Sequence, residues 1–82
     1  MEIDIRFEIE NCLSMNLNSS VINMEKIESR GNELIINIRN QNGVTEFLKP
    51  GLKGVLKMAH QTRNVVISKI EKDHGHMVLT YE

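Results

Sequence analysis

The sequence predicts a two-layer α+β sandwich, in which two helices cover one face of a mixed β-sheet. Three observations lead to this fold class. Residues 3–9 alternate strictly between apolar and charged side chains, which is typical of a half-buried strand. Residues 45–62 repeat their apolar side chains at helical spacing. Residues 65–70 and 77–81 are rich in β-branched and large apolar side chains, and a short polar loop separates them, as in a β-hairpin.

The predicted order is strand, helix, strand, helix, strand, strand, within one domain that spans residues 1–82. Residues 11–29 place five apolar side chains within about 120° of a helical wheel, which favours the first helix. These are Leu13, Leu17, Val21, Met24 and Ile27. The Asn and Ser residues between them leave a second interpretation open, in which Val21–Glu28 is a strand paired with the next one. Gly31 marks the turn that follows.

The segment Leu34–Ile38 predicts a central strand, because its side chains are apolar on both faces for part of its length. A turn is expected at Asn40–Gly43. The second helix covers residues 45–62, and Pro50 either lies in its first turn or kinks it. Its apolar face comprises Leu48, Leu52, Val55, Leu56, Ala59 and Thr62. The loop Asp73–His76 joins the last two strands.

The amino-acid composition limits the classes of protein to which this chain can belong. The 82 residues are 40% hydrophobic and 26% charged, as in an ordinary globular domain, but only 4% aromatic, so we expect an aliphatic core. A net charge of −1 does not favour a sequence-independent nucleic-acid binder, which carries a positive excess. The single cysteine cannot form an internal disulfide, and we find neither a basic, apolar leader nor an apolar stretch of roughly 20 residues. We therefore expect a cytoplasmic protein without a membrane contact or a cofactor.

The predicted second helix contains several basic residues and two glycines. Lys49, Lys53 and Lys57 follow one another at intervals of four, so a helix would place them on one face. Gly51 and Gly54 form a G-x-x-G, a pattern that joins two helices in KH domains and lets an RNA backbone approach. The same lysines also fit the solvated face of an ordinary surface helix. The candidate binding residues are Lys49, Lys53, Gly54, Lys57, His60 and Arg63.

Two further features carry candidate chemistry. His74 and His76, next to Asp73, are weak candidates for a metal site, because two imidazoles and a carboxylate need further ligands that the sequence does not supply. We therefore predict no metal. Cys12 follows the first strand, and a helix that began after it would make its thiol more acidic and reactive. A lone cysteine is also commonly a small buried apolar residue, so both interpretations stand.

The layout is similar to that of a known family. Cys12 lies at the junction of a strand and a predicted helix, the segment RGNELIINI is a strand after a glycine turn, and Pro50-Gly51 lies in the second helix. In this layout the chain resembles the TusA/SirA group of small sulfur carriers, although their Cys-Pro-x-Pro motif is replaced here by Cys12-Leu13-Ser14-Met15. The resemblance implies an α+β fold and, for Cys12 alone, the role of carrying a persulfide.

These features favour a small cytoplasmic, non-enzymatic binding or regulatory module that acts through a protein contact and self-associates as a homo-oligomer. No catalytic residue is predicted. Two alternatives stay open. One is a TusA-like sulfur carrier that uses Cys12, and the other is an RNA-binding module that uses the Gly51–Gly54 segment and the lysine face.

Overall fold

The computed structural model describes residues 3–10, 13–39, 46–71 and 73–82. Within these ranges, seven β-strands and one short 3-10 turn follow one another. Their bounds are β1 Ile3–Glu10, β2 Leu13–Leu17, the 3-10 turn Met24–Lys26, β3 Glu28–Arg30, β4 Glu33–Asn37, β5 Lys53–Met58, β6 Gln61–Glu71 and β7 His76–Tyr81. All seven strands belong to one sheet, in the order β2-β1-β5-β6-β7-β4-β3. Every neighbouring pair is antiparallel.

The predicted α+β class is wrong, because the described residues contain no α-helix. The sheet is also purely antiparallel and not mixed. In place of the predicted first helix, Leu13–Leu17 forms β2 and pairs with β1. Ser14 and Asn16 are exposed while Leu17 is buried, so the side chains alternate between two faces with the period of a strand.

The alternative interpretation of this region, a strand at Val21–Glu28 paired with its successor, is closer to the structure. A hairpin is present, but its first strand, β3, begins at Glu28, where the predicted strand ends. Gly31 and Asn32 form the turn between β3 and β4, and Gly31 adopts a φ of +57° there. The predicted glycine turn is therefore confirmed, since a positive φ is the backbone conformation that favours glycine.

The predicted second helix is replaced by a strand in the middle of the sheet. β5 lies between β1 and β6 and pairs with both. Residues four apart share a face of a strand as well as of a helix, because four is a multiple of the strand period of two. Lys53 and Lys57 therefore lie on the solvent side together with Val55, whereas Gly54 and Leu56 are buried on the other side. The lysine spacing alone does not distinguish the two structures.

The four predicted strands are confirmed. β1 buries Ile3, Ile5 and Phe7 and exposes the charged residues between them, as the alternation predicts, whereas Ile9 is only partly buried. β4 corresponds to the predicted central strand and has a neighbour on each side. β6 and β7 form the final hairpin, although β6 starts four residues earlier than predicted, at Gln61. The predicted turn at Asn40–Gly43 lies outside the described residues.

The sheet is curved, and the segment that follows β2 crosses to its other end, where it pairs with the chain at the end of β4. The amide of Asn23 donates a hydrogen bond to the carbonyl oxygen of Asn37 at 2.8 Å. The amide of Arg39 donates one to the carbonyl oxygen of Val21 at 2.6 Å. The chain extends 28 × 26 × 22 Å, which is too thick for a flat sheet. We call the concave, core-bearing side the inner face and the opposite side the outer face. The core comprises Ile3, Ile5, Phe7, Leu17, Ile22, Leu34, Ile36, Ile38, Leu48, Leu56, Val65, Ile67, Met77 and Leu79. It is aliphatic apart from one phenylalanine and one methionine, close to the prediction.

One close approach on the inner face links β1 to β5. Phe7 is fully buried and lies opposite Gly54 in the strand register. A Cβ atom on Gly54 would lie 2.6 Å from Cδ1 of Phe7 and 3.0 Å from the carbonyl oxygen of Arg6. The phenyl ring therefore occupies the space that any side chain at position 54 needs. This is why a central strand accepts a glycine here, despite the poor strand propensity of that residue.

Candidate functional site

The outer face of β1 and β5 is charged along both strands. Arg6 lies opposite Val55, which in turn lies opposite Asn64, and Asp4 lies opposite Lys57. Directly opposite residues in an antiparallel sheet share a face, so these side chains form one continuous surface. We call it the charged outer face. It comprises Asp4, Arg6, Glu8, Asn16, Lys53, Val55, Lys57, Asn64 and Glu82.

Two adjoining hollows lie on the charged outer face. The first has a volume of about 330 Å³ and the second about 410 Å³. Both are lined by Arg6, Glu8 and Val55, so they meet along the line where β1 and β5 pair. Together they form a shallow groove that crosses β2, β1, β5 and β6, since Asn16 and Asn64 line its two ends.

Cations and carboxylates are balanced on the charged outer face. It carries three of each, namely Arg6, Lys53 and Lys57 against Asp4, Glu8 and Glu82. The ion pairs found within the described ranges lie elsewhere, between Arg30 and Glu28 and between Lys69 and Glu71. Even Asp4 and Lys57, which face each other in register, do not form one. These six charges are therefore not paired with one another.

Two of the six predicted binding residues, Lys53 and Lys57 on β5, place their side chains on the charged outer face, and a third, Gly54, lines the first hollow with its backbone. Lys49 is exposed in the loop before β5, and His60 is exposed in the two-residue turn between β5 and β6. The lysine face that a helix would have formed is thus divided between a strand and a loop.

Arg63 lies on the opposite side of the sheet from Lys53 and Lys57. It faces Leu56 in the strand register and is therefore on the inner-face side, at its exposed rim. Its guanidinium carbon lies 4.1 Å from the centre of the Tyr81 ring, which is a cation–π contact. Arg63 is engaged within the fold and does not join the charged outer face.

The G-x-x-G does not form a loop between two helices. Gly51 lies in a turn before β5 with a φ of +94°, and its amide donates to the carbonyl oxygen of Ile67 at 2.7 Å. Gly54 is buried against Phe7. The backbone clamp that the RNA-binding interpretation assumed is therefore not formed by this segment, and RNA binding itself stays a prediction that nothing here tests.

The β6–β7 hairpin holds a second cluster of titratable side chains. Nζ of Lys69 lies 2.8 Å from Oε1 of Glu71, and this hydrogen bond raises the pKa of Lys69 and lowers the pKa of Glu71. The rings of His74 and His76 have their centres 6.0 Å apart, and Nδ1 of His76 is 4.0 Å from Oε2 of Glu71. Over the ranges that the structure covers, no group of three His, Cys, Asp or Glu side chains is placed to hold a metal ion.

Cys12 lies outside the described residues, so its predicted role as a sulfur carrier stays a prediction. Leu13, the next residue, begins β2 and not a helix. Residues 13–17 therefore do not supply the helix N-terminus that was to make the thiol acidic.

The charged outer face includes residues that the sequence does not single out. Arg6, Glu8 and Asn64 belong to it because β1 and β6 flank β5, and Val55 is its central apolar residue. The one available signal is the alternation of β1, which predicts that Arg6 and Glu8 point to solvent. Nothing local predicts which strand lies beside them.

Comparison with known protein families, with curated proteins and with solved structures finds no match to this chain. No helix within the described part of the chain is long and apolar enough to cross a membrane. A functional interpretation therefore depends on the geometry of the charged outer face.

Proposed function

We propose that this chain is a non-enzymatic binding module that recognises a protein partner through the charged outer face. The observation that supports the proposal is the arrangement of six mutually unpaired charges, of both signs, around Val55 and along two adjoining hollows. Exposed charges of this kind give a contact its specificity and its association rate more than its affinity. We therefore expect a reversible complex whose stability falls as the salt concentration rises.

A polypeptide fits this surface better than a nucleic acid. A phosphate backbone needs a local excess of positive charge, and on the charged outer face three carboxylates offset three cations. A protein surface can present carboxylates to Lys53 and Lys57 and basic side chains to Asp4 and Glu8. Val55, half-buried at the centre and surrounded by polar groups, supplies a small apolar contact of the kind that transient interfaces have.

Reversing the two lysines of β5 is expected to abolish the contact. In the variant Lys53→Glu/Lys57→Glu, the carboxylates of the partner meet like charges, which should weaken binding by about tenfold or more. Proteins that the immobilised wild-type chain retains from a cell extract are identified by mass spectrometry. The most abundant is then purified, and its Kd for each variant is measured by isothermal titration calorimetry.

The matched control is Lys26→Glu/Arg39→Glu. Lys26 and Arg39 are exposed cations away from the charged outer face, and the control changes the net charge by the same amount. Its Kd is expected to stay close to that of the wild type. Equal weakening by both double variants would mean that only net charge matters, and an unchanged Kd for Lys53→Glu/Lys57→Glu would remove this face from consideration.

A further inference from the structure

Among the strands that the structure describes, β2 leaves one of its edges without a neighbour. It is the terminal strand of the sheet order and pairs, within these strands, with β1 alone. Within the described ranges, no backbone hydrogen bond outside the β1 ladder reaches Leu13–Leu17. A free strand edge presents N–H and C=O groups that can extend the sheet into a second chain.

The two ends of the sheet differ in how well they resist such pairing. At the far end, β3 is only three residues long and carries Glu28 and Arg30, an exposed ion pair with a distance of 2.7 Å. Short, charged edge strands discourage edge-to-edge association. β2 is longer and carries no charged residue, and Leu13 at its start is 65% exposed. β2 is therefore the less protected edge.

The sequence of β2 is self-complementary. If two copies pair antiparallel around Met15, then Leu13 lies opposite Leu17 of the second copy, Ser14 lies opposite Asn16, and the two methionines face each other. Apolar side chains meet apolar ones, polar ones meet polar ones, and no charge is involved. The same five residues serve both copies, as a two-fold symmetric interface requires.

We propose that β2 pairs with β2 of a second copy of this chain, so that the two sheets become one continuous sheet in a symmetric dimer. The pairing explains the exposure of Leu13, which then gains an apolar neighbour from the second copy. It also fits the size of the protein, because a chain of 82 residues has a small core and gains stability from association. Because five residues per copy form a small interface, the Kd should be weak, on the order of 10–100 µM.

The test places charges at the two polar positions of β2. Ser14 and Asn16 are exposed on the outer face of the single chain. In the dimer of Ser14→Lys/Asn16→Lys, each new lysine lies opposite a lysine of the second copy, so two pairs of like charges face each other. In the dimers of Ser14→Lys/Asn16→Glu and of Ser14→Glu/Asn16→Lys, each new lysine lies opposite a glutamate of the second copy, so two pairs of unlike charges face each other. Sedimentation velocity of the purified chain alone, from about 5 to about 500 µM, gives each Kd.

The two unlike-charge variants control for effects within one chain. Position 14 lies opposite Glu8 and position 16 lies opposite Arg6 in the β1–β2 register. Ser14→Lys/Asn16→Glu therefore gains favourable contacts inside the chain, whereas Ser14→Glu/Asn16→Lys gains unfavourable ones. Pairing through β2 predicts that both of them dimerise at least as well as the wild type while the like-charge variant dimerises more weakly, a pattern that contacts within one chain do not give.

We expect the wild type to dimerise in this concentration range and the like-charge variant to dimerise about tenfold more weakly, with the difference shrinking in high salt. Circular dichroism confirms that each variant is folded. A wild type that stays monomeric at every concentration overturns the proposal, and so does a dimer with the same Kd in all four proteins. Because no partner protein is present, either result leaves the proposed function untouched.

Discussion

Replacing Phe7 by alanine is expected to destabilise the protein by about 3–5 kcal/mol, the largest effect of any single substitution considered. Phe7 is fully buried, and its register places it between Met15 of β2 and Gly54 of β5. The truncation removes the one fully buried aromatic ring among the described residues and leaves a cavity beneath β1 and its neighbours β2 and β5. A chain of 82 residues has a total stability of roughly 4–12 kcal/mol, so a large share of it should be lost.

The chain offers a matched control, because its second phenylalanine, Phe47, is 52% exposed. Phe47→Ala is expected to change the free energy of unfolding by less than about 1 kcal/mol. Urea denaturation followed by far-UV circular dichroism measures both, since the chain has no tryptophan. Similar losses for the two variants would contradict the position of Phe7 on the inner face.

Replacing Gly54 by alanine, which adds a single methyl group, is expected to lower the free energy of unfolding by about 1–3 kcal/mol. Alanine is ordinarily a better strand residue than glycine, so the loss must come from the surroundings. The new Cβ would lie 2.6 Å from Cδ1 and 2.7 Å from Cε1 of Phe7, and 3.0 Å from the backbone oxygen of Arg6. A packed ring and a main-chain atom have little freedom to move away. The same urea titration measures the loss in Gly54→Ala.

The phenyl ring of Phe7 causes this loss of stability. Measuring Gly54→Ala in a second background, Phe7→Leu, tests that directly. In Phe7→Leu the side chain is smaller, so Gly54→Ala should cost less there than in the wild type. The double-mutant cycle should give a coupling energy of about 1 kcal/mol or more. An equal cost in both backgrounds would show that Phe7 does not lie against Gly54, and the register between β1 and β5 would have to change.

β1 and the final hairpin are predictable because their determinants are local. In β1 every outward position between Asp4 and Glu8 is charged and every inward one is apolar, so only a two-sided strand satisfies both faces. β6 and β7 are joined by a loop short enough to bring them together without further contacts. Their pairing depends on no residue distant in the sequence.

The first predicted helix is wrong because polar residues in this segment form turns instead of helical hydrogen bonds. Oδ1 of Asn18 accepts a hydrogen bond from the amide of Ser20 at 2.9 Å, and Oδ1 of Asn23 accepts one from the amide of Glu25 at 3.2 Å. These bonds form turns that compete with helical hydrogen bonds. The apolar spacing from Leu13 to Ile27 is therefore interrupted twice, and it does not describe one continuous face.

The second predicted helix fails for a different reason, because β5 pairs on both sides, with β6 through a two-residue turn and with β1, which is distant in the sequence. Its neighbour β1 lies at the other end of the chain, and no local pattern reveals that contact. The candidate site depends on the same contact. Lys53 and Lys57 are recognisable from the sequence as an exposed pair, but Arg6 and Glu8 join them only because β1 lies beside β5.

The pairing of β5 with β1 is thus the claim on which the charged outer face depends, and NMR measures it directly. Cross-strand nuclear Overhauser effects are expected between the backbone protons of Ile5 and Leu56 and between those of Arg6 and Val55, with strong sequential Hα–amide contacts along β5. Strong sequential amide–amide contacts across residues 45–62, without any contact to β1, would instead identify a helix. That result would separate the β5 lysines from Arg6 and contradict the charged outer face.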